Sequence, residues 1–366
     1  MQNKISFGKW ESVALLINLI CTKVFLYFPR MVVEDAGNAG WIMTIYICLL
    51  AFILMFFLNR LYGKFEGKDI IDIAEIAGGR ILKLITGLII SGVLLALAVN
   101  VIREFSEEMK VVSLPLSPLS YIMFFFIIGM VIGSFLGIES IVRYNAIMVP
   151  VIAVGYILIL LGAIPEIEIT NIYPILGYGA DEVFVKGFSR VSVFGELLVI
   201  FLLPPFTGNN KELRRTGWLA LGFSSVFLMA GSLMYILTFP YPSILESFLP
   251  LFQMARVINL GRFFQRIEAL FVLTWAMAAL MYLTSTFYFS IYSFAKTAGL
   301  KYMRPLILPF AIIVFSLAFI PPNLISVIKI ETEIINRMLW LVTFVITGLI
   351  LIIANLRSNP GRRGCK

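Results

Sequence analysis

Histidine is absent from the 366 residues of the chain, and cysteine and charge are both scarce. Without histidine there is no histidine metal ligand and no histidine proton relay. The three cysteines, Cys21, Cys48 and Cys365, lie far apart and show no metal-binding or redox spacing. The sequence also shows no nucleophile–base constellation and no phosphate-binding loop. We therefore expect no enzymatic activity, no metal and no cofactor.

Charged residues make up only 14% of the chain, whereas hydrophobic residues make up 60% and include 32 phenylalanines. Charge-free runs recur along the whole length, which is typical of a polytopic membrane protein. The first run begins near Ser12 and lacks a small-residue cleavage site, so we interpret it as a retained span and not as a signal peptide. On such a chain the net charge of +8 concerns orientation in the lipid bilayer, and we expect no nucleic-acid partner.

Ten runs are long enough to cross about 30 Å of hydrocarbon as helices. They lie near residues 10–33, 40–58, 81–109, 118–138, 144–164, 182–206, 216–238, 263–295, 305–321 and 334–356. None alternates as barrel strands do, so the predicted fold is all-α, with a single transmembrane domain over residues 1–366. An even number of spans places both termini on one side. We predict that this side is the cytoplasm, because its segments hold 18 Lys and Arg residues against 10 outside.

Two connecting segments differ from ordinary loops. Residues 62–79, YGKFEGKDIIDIAEIAGG, are short and charged and predict a helix in the membrane interface. Residues 239–262, FPYPSILESFLPLFQMARVINLGR, are long, amphipathic and punctuated by proline. This second segment has two interpretations: an external helical lid, or a helix that simply lies in the interface.

Span one carries a lysine, Lys23, inside an otherwise apolar run, and it closes with Phe28, Pro29 and Arg30. A lysine at mid-membrane costs about 2.5–3.5 kcal/mol on insertion scales and usually faces a bundle interior or a wet cavity. At 1.5 Å per residue, Lys23 lies roughly 20 Å into the span, too deep for its side chain to reach the interface without strain. Pro29 alone is also consistent with a simple helix end.

Span six carries Glu196 directly after Gly195, with Pro204 and Pro205 near its end. Interrupted helices at matching positions of two halves indicate a mid-membrane binding site in transporters built from inverted repeats. Spans one and six begin two halves of five spans each, near residues 10–164 and 182–356. The sequence therefore predicts a five-plus-five inverted repeat with a site at the two interruptions.

Each of these two charges has a simpler interpretation by itself, a snorkelling lysine or a lone protonated glutamate. Together they favour pairing, because each neutralises the other if spans one and six are adjacent. We therefore predict that Lys23 and Glu196 face each other or share a polar ligand. Asn100 on span three and Ser285 on span eight, with its neighbours Thr284 and Thr286, are further candidates for the cavity lining. Ser and Thr in membrane helices also bond to their own backbone, so this assignment has an alternative.

Four stretches resemble the endospore germination permeases, the B subunits of nutrient germinant receptors (GerAB/GerKB type). They are NLICTKVFLYFPR (18–30), ITNIYPILGYGADEVFVKGF (169–188), FGELLVIFLLPPFTGNNKELRR (194–215) and ESFLPLFQMARVINLGRFFQRIEALFVLTW (246–275). This family belongs to the amino acid/polyamine/organocation superfamily, so the resemblance implies a LeuT-like five-plus-five repeat with helices one and six broken.

The resemblance further implies a binding site for a small germinant, typically an amino acid, at the two breaks. By position, the ligand-binding residues would be Thr22, Lys23, Val24, Phe194, Gly195 and Glu196, with Asn100 and Ser285 beside them. Relatives commonly place Gly-x-Gly at the first break, but this chain has Thr22-Lys23-Val24, and Val24 lacks glycine's backbone freedom. Lys23 would either hold a ligand carboxylate or replace a coupling cation.

Three functions are open from the sequence. In the first, the chain senses a nutrient and triggers spore germination, assembled with an A-type and a lipoprotein C-type receptor subunit in the inner membrane of the spore, as the resemblance implies. In the second, it is an amino acid–proton symporter in which Glu196 or the Lys23–Glu196 pair carries the proton. In the third, it is a scaffold or ion-conducting subunit without an organic ligand. The identity of the ligand is open in all three.

Overall fold

A computed structural model describes residues 7–207, 210–258 and 268–357 of the chain. Over these ranges the secondary structure consists of helices joined by turns and short loops, and no strand is present. The predicted all-α membrane fold is confirmed.

The α-helices are numbered in chain order. They are α1 Lys9–Phe25, α2 Phe28–Ala36, α3 Gly40–Tyr62, α4 Ile70–Val112, α5 Leu119–Leu136, α6 Ile138–Gly162, α7 Gly187–Arg190, α8 Pro204–Thr207, α9 Asn210–Thr238, α10 Pro250–Val257, α11 Glu268–Thr297, α12 Ile307–Leu317, α13 Leu324–Ile330, α14 Asn336–Trp340 and α15 Thr347–Arg357. π-Helical turns occupy Glu182–Lys186, Glu331–Ile335 and Leu341–Ile346, and an extended 3₁₀ helix occupies Val191–Phe201.

Seven helices in the described ranges are long and apolar enough to cross a membrane. Helix α12 is shorter. Of the remaining two predicted spans, span one consists of α1, with 17 residues, and α2, with 9, and span six consists of several short helical pieces. All ten predicted spans therefore coincide with helical segments, although the described part of span eight begins only at Glu268. Apolar runs form helices here because hydrocarbon offers no partner for a free backbone N–H or C=O.

The kink in helix α4 agrees with the predicted boundary between the interface helix and span three, whereas the start of span ten is wrong in the sequence prediction. The non-helical residues Gly78 and Gly79 divide α4, and Gly79 has a φ of 72°. The predicted interface helix lies before this kink and span three begins after it. Span ten begins at Leu324 and not near residue 334. Glu331, in the part of this span that the prediction omits, is buried in the structure.

The predicted position of the first break is also wrong. Helix α1 runs through Thr22, Lys23 and Val24 to Phe25, and the chain turns at residues 26 and 27 before α2 begins at Phe28. Pro29 explains the difference, because its ring excludes the carbonyl of the residue four positions earlier, which is Phe25, and it has no N–H to donate. The break therefore lies where the proline requires it, three residues beyond Lys23.

Span six has no unwound break at Phe194, Gly195 and Glu196. These residues lie within the 3₁₀ helix Val191–Phe201, which follows directly on π-helical and α-helical turns. The helix thus changes pitch along its length until the Pro204-Pro205 pair ends it. Long 3₁₀ runs are uncommon, and inside a helix they often mark a hinge.

Helix α1 lies at the centre of the bundle, since every residue from Ser12 to Phe25 is buried. It packs against α6, α9, α11 and the 3₁₀ helix of span six. A helix that is apolar all round, as α1 is apart from Lys23 and a few small polar residues, is expected to be enclosed on all sides. Helices α5 and α12 lie at the periphery and expose large apolar side chains, as expected for lipid-facing surfaces.

The predicted lid segment forms helix α10, whose Leu251, Met254 and Ala255 are buried. Its Phe252 packs on Phe271 at the start of α11, with ring centroids 5.6 Å apart. Helix α10 therefore packs onto one end of the bundle, which we call the α10 end. The remainder of the predicted lid, from residue 259, lies outside the described residues.

Candidate functional site

Lys23 and Glu196 form a buried ion pair between α1 and the 3₁₀ helix. The Lys23 Nζ donates to Glu196 Oε2 at 2.7 Å and lies 2.7 Å from Oε1. A third acceptor is the Val193 carbonyl, 3.2 Å from the same Nζ. The Tyr282 hydroxyl of α11 donates to Glu196 Oε1 at 2.9 Å. The predicted facing of Lys23 and Glu196 is thus confirmed, and the pair has no unsatisfied charge.

The 3₁₀ geometry allows its carbonyls to accept bonds from side chains of neighbouring helices. Besides Val193, the carbonyl of Gly195 accepts from Thr343 Oγ1 at 2.6 Å. Gly195 also brings the segment against α14, where a Cβ on residue 195 would overlap the side chain of Leu339. Span six is therefore held on one side by α1 and on the other by the span-ten helices.

The ion pair lies near the middle of the bundle. Tyr282 is at the midpoint of α11 (Glu268–Thr297), so it is about 21 Å from either end of that helix at 1.5 Å per residue. Burying two charges at this depth costs several kcal/mol per ion, and only close pairing with full hydrogen bonding offsets that cost. Lys23, Glu196 and Tyr282 meet this condition.

The other residues predicted at the breaks are buried but do not contact the ion pair through a polar atom. The Thr22 hydroxyl donates to its own helix at Asn18, 2.7 Å away. Val24 lies against Gly231 of α9, and Phe194 is fully buried in apolar surroundings. These side chains position the segments that carry Lys23 and Glu196.

The two peripheral candidates have separate partners. Asn100 Nδ2 donates to Glu331 Oε2 at 2.6 Å, away from the central pair. The Ser285 hydroxyl donates to the carbonyl of Met281 one turn earlier, at 2.7 Å. Thr284 and Thr286 bond to their own backbone in the same way.

The sequence analysis did not identify Tyr282, Tyr27 or Glu331. Tyr27 lies in the first break and accepts a hydrogen bond from Asn336 Nδ2 at 2.7 Å, which ties the break to span ten. A tyrosine in an apolar helix carries no signal of its own, so Tyr282 was not detectable. Glu331 would have been found if span ten had been started at Leu324.

The bundle is closed at both ends by polar contacts. At the α10 end, Arg190 of span six forms a two-bond contact with Asp35 of α2, with Nε 2.5 Å from Oδ2 and Nη2 3.1 Å from Oδ1. At the opposite end, which we call the Lys296 end, Lys296 Nζ lies 2.7 Å from Asp69 Oδ2 and 2.6 Å from Asp72 Oδ2. Tyr292 also donates to Asp69 Oδ2, at 2.8 Å.

Replacing Lys296 by methionine should destabilise the closed Lys296 end by roughly 1–2 kcal/mol, because Asp69 is fully buried and would lose a charged donor. The measurement is the reactivity of Ser293→Cys, a buried position one turn before the end of α11, toward a water-soluble thiol reagent, with and without the Lys296→Met change. The matched control is Lys83→Met, which breaks an exposed ion pair with Glu75 worth at most about 1 kcal/mol. Equal reactivity in the two backgrounds would show that Lys296 does not hold this end closed.

A small cavity of about 210 Å³ lies beside the first break, on the side of the α10 end. Its lining residues are Tyr27, Arg30, Met31, Glu34, Phe248, Ile325, Ile328, Lys329 and Thr332. The guanidinium of Arg30 lies 4.1 Å from the ring centroid of Phe248. The cavity therefore offers charges of both signs and an aromatic wall, four residues along the chain from Lys23.

Comparisons with known proteins identify the family and the fold of the chain. The family model described as "Spore germination protein" matches residues 7–327. Two curated relatives from Bacillus subtilis (strain 168) are Spore germination protein B2, 19% identical over 75% of this chain and 74% of its own, and Spore germination protein A2, 23% identical over 82% and 83%.

Solved transporter structures share the fold at low identity. MhsT in complex with L-phenylalanine superposes with a TM-score of 0.67 at 12% identity, covering 97% of this chain and all of that one. Mhp1, a nucleobase–cation symporter family transporter, superposes with a TM-score of 0.66 at 13% identity, covering 93% and 75%. The fold is thus LeuT-like, and the family model covers most of the sequence. The chain belongs to the family of spore germination permeases.

Proposed function

We propose that this chain is the germinant-sensing subunit of a spore germinant receptor and that it binds a small amino acid at the junction of spans one and six. The single observation that carries the proposal is the Lys23–Glu196 pair, bonded by Tyr282, at mid-bundle between a broken helix and a 3₁₀ helix. Membership of the germination permease family, and the amino acid held by the structurally similar MhsT, support it.

The chemistry of the pair suits a zwitterion. An amino acid carries a carboxylate and an ammonium, which are the groups that Lys23 and Glu196 supply to each other at rest. A bound amino acid that enters between the two segments takes over both partners, so that Lys23 holds its carboxylate and Glu196 its ammonium. Such an exchange favours a second conformation, because a ligand shifts an equilibrium only through different affinities for the two states.

In this proposal the chain acts with A-type and lipoprotein C-type subunits in the spore inner membrane, with both termini in the cytoplasm. Helix α10 would serve as the external lid. Thr22, Val24, Phe194 and Gly195 shape the two segments around the exchanging pair. Asn100 and Ser285 stand further out, as support for the neighbouring helices.

Spores that depend on this chain, carrying Tyr282→Phe, provide the test. The variant removes only the hydroxyl that holds Glu196 at rest, so we expect half-maximal germination at a nutrient concentration about tenfold lower, as the loss of one charge-assisted hydrogen bond implies. The control is Tyr156→Phe, which removes an equally buried hydroxyl bonded to the Phe227 carbonyl at 2.7 Å. An unchanged response in Tyr282→Phe would contradict the exchange.

The ligand chemistry is tested on wild-type spores with each active amino acid, its primary amide and its deaminated acid. Only the intact zwitterion should act, because the exchange needs both charged groups. Equal responses to the analogues would reject this mechanism. Labelled amino acid uptake by the purified chain in proteoliposomes separates the two functions, since strong pH-driven accumulation by this chain alone would favour a symporter.

A further inference from the structure

A second group of buried charges lies outside the Lys23–Glu196 site. Asn100, Glu104 and Glu108 recur every four residues on α4, so they share one face of that helix. Glu331, at the start of the π-helical turn in span ten, stands opposite them and accepts from Asn100 at 2.6 Å. The three glutamates are buried to 99% or more.

These carboxyls have almost no partners within the described residues. None of the four side-chain oxygens of Glu104 and Glu108 accepts a hydrogen bond from an N–H or O–H group there. The carboxyl of Glu104 is close enough to that of Glu331 for a hydrogen bond between them, and the charge of Glu331 also acts on Glu108. Two carboxyls can share a hydrogen bond only if one of them holds a proton.

The cations on the surrounding elements are engaged elsewhere or exposed. Four of these cations have partners: Arg103 bonds to the Ala318 carbonyl and to Glu107, Arg190 to Asp35, Arg30 to Glu34 and Lys23 to Glu196. Of the others, Lys110 is partly exposed, and Lys329, Arg337 and Arg256 are exposed. The other groups that face the carboxyls are the hydroxyls of Tyr27 and Tyr282. In the described ranges, no Lys or Arg nitrogen lies within salt-bridge distance of the three glutamates.

Three ionised carboxylates cannot persist together in this setting. Burying one uncompensated carboxylate in a low-dielectric interior is so costly that the group binds a proton instead, and neighbouring carboxylates raise the cost further. A bound metal ion does not supply the missing positive charge, because no group of acidic side chains in the described ranges has the arrangement of a metal site.

We propose that Glu104, Glu108 and Glu331 form a proton-binding site that is loaded from the α10 end. Glu108 reaches a cavity of about 310 Å³ whose lining also includes Gln253 and Arg256 of α10. Glu104 lies one turn deeper on α4, next to Glu331, so the three carboxyls form a chain from the cavity to span ten, and Asn100 holds Glu331 in place by its hydrogen bond. Protons move along it between carboxyl oxygens without net chemistry.

The site gives the bundle a proton-dependent contact between α4 and span ten. With the carboxyls protonated, the two elements pack together; with the protons released, repulsion between Glu104 and Glu331 separates them. Span ten also reaches the first break, through the bond from Asn336 to Tyr27. Release of the protons therefore also loosens the first break, whatever ligand the Lys23–Glu196 pair binds.

The test uses the full-length protein in lipid nanodiscs. Dicyclohexylcarbodiimide, a hydrophobic reagent, modifies protonated carboxyls, and mass spectrometry locates the label. We expect label on Glu104 or Glu108 near neutral pH, decreasing as the pH is raised, and none on Glu107, the neighbouring glutamate that pairs with Arg103 at 2.7 Å. Infrared difference spectra between low and high pH should show the carbonyl stretch of a protonated carboxyl, lost in Glu104→Gln and retained in Glu107→Gln.

Three outcomes would overturn the proposal. The first is a wild-type protein with no label on Glu104, Glu108 or Glu331 and no protonated-carboxyl band, a result that does not depend on any variant folding. The second is equal labelling of Glu107. The third is loss of the label on adding sodium or potassium at constant pH, which would assign the site to a monovalent cation instead of a proton.

Discussion

Methionine in place of Lys23 should lower the free energy of unfolding by about 3–5 kcal/mol, because it removes one partner of a buried ion pair. Methionine keeps the length and the apolar stem of the lysine but leaves Glu196 buried with only the Tyr282 hydroxyl as a donor. It also frees the Val193 carbonyl from its side-chain bond. Thermal or denaturant unfolding of the purified protein in detergent measures the loss.

Removing the second charge should restore stability. In the double variant Lys23→Met with Glu196→Leu, two apolar side chains replace the ion pair, an exchange that is often neutral or even stabilising. We expect this protein to fold and to assemble, yet to be unresponsive to nutrient, since neither charged partner is available to a ligand. Loss of response without loss of folding would separate the role of the pair in sensing from its role in stability.

Two controls make the result interpretable. Lys83→Met removes a partly exposed lysine that pairs with the exposed Glu75 and should cost at most about 1 kcal/mol. Lys23→Glu with Glu196→Lys reverses the pair and should recover part of the stability lost in each single variant. If the reversed pair and the double apolar variant are as unstable as Lys23→Met alone, direct pairing is not what stabilises this junction.

The central pair was predictable from the sequence because the physics of buried charge leaves few solutions. A lysine deep in span one requires a counter-charge, and Glu196 is the one acidic residue at comparable depth in the matching span of the other half. The all-α bundle and its ten helical segments follow from the apolar runs in the same way. These conclusions depend on composition and spacing alone, which a single sequence contains.

The position of the first break and the start of span ten were predicted wrongly, because both depend on local interactions that the sequence pattern does not rank. The first break is set by Pro29 acting on Phe25, whereas the sequence argument placed it on Thr22, Lys23 and Val24 by position in the family. Glu331 lies in the part of span ten that the sequence prediction omits, and the facing helix α4 carries the Asn100 side chain that bonds to it.

The row of polar side chains on α4 that contains Glu104 and Glu108 is predictable from the sequence. The four-residue spacing of Asn100, Glu104 and Glu108 places them on one helix face, and only Asn100 was identified. Tyr282 was not detectable, since its role depends on which residue of span six it meets. In general, a buried charge can be inferred from sequence, but the neutral groups that complete its hydrogen bonds come from tertiary packing.

Alanine in place of Gly195 should also have a large effect on stability, a loss of about 3 kcal/mol, the upper end of the range for an overpacked core. A Cβ at this position would overlap the Leu339 side chain of α14. The 3₁₀ helix that carries Glu196 would have to move away from span ten, which breaks the bond from Thr343 to the Gly195 carbonyl. Unfolding measurements in detergent and the nutrient response of spores should both show the change.

The cause can be isolated with Leu339→Ala, which alone costs about 2–5 kcal/mol by leaving a cavity. Combined with Gly195→Ala, the smaller residue 339 makes room for the new methyl group, so the two costs should be less than additive by at least about 1 kcal/mol. Gly222→Ala on α9 is the matched control, because a Cβ there meets open space and the change should be neutral or stabilising by about 1 kcal/mol.

Strict additivity of Gly195→Ala and Leu339→Ala would mean that the close approach of span six to span ten is not what requires glycine at residue 195. A positive coupling, with the nutrient response recovered in the double variant, would instead show that the packing of span ten against the 3₁₀ helix sets the position of Glu196 relative to Lys23.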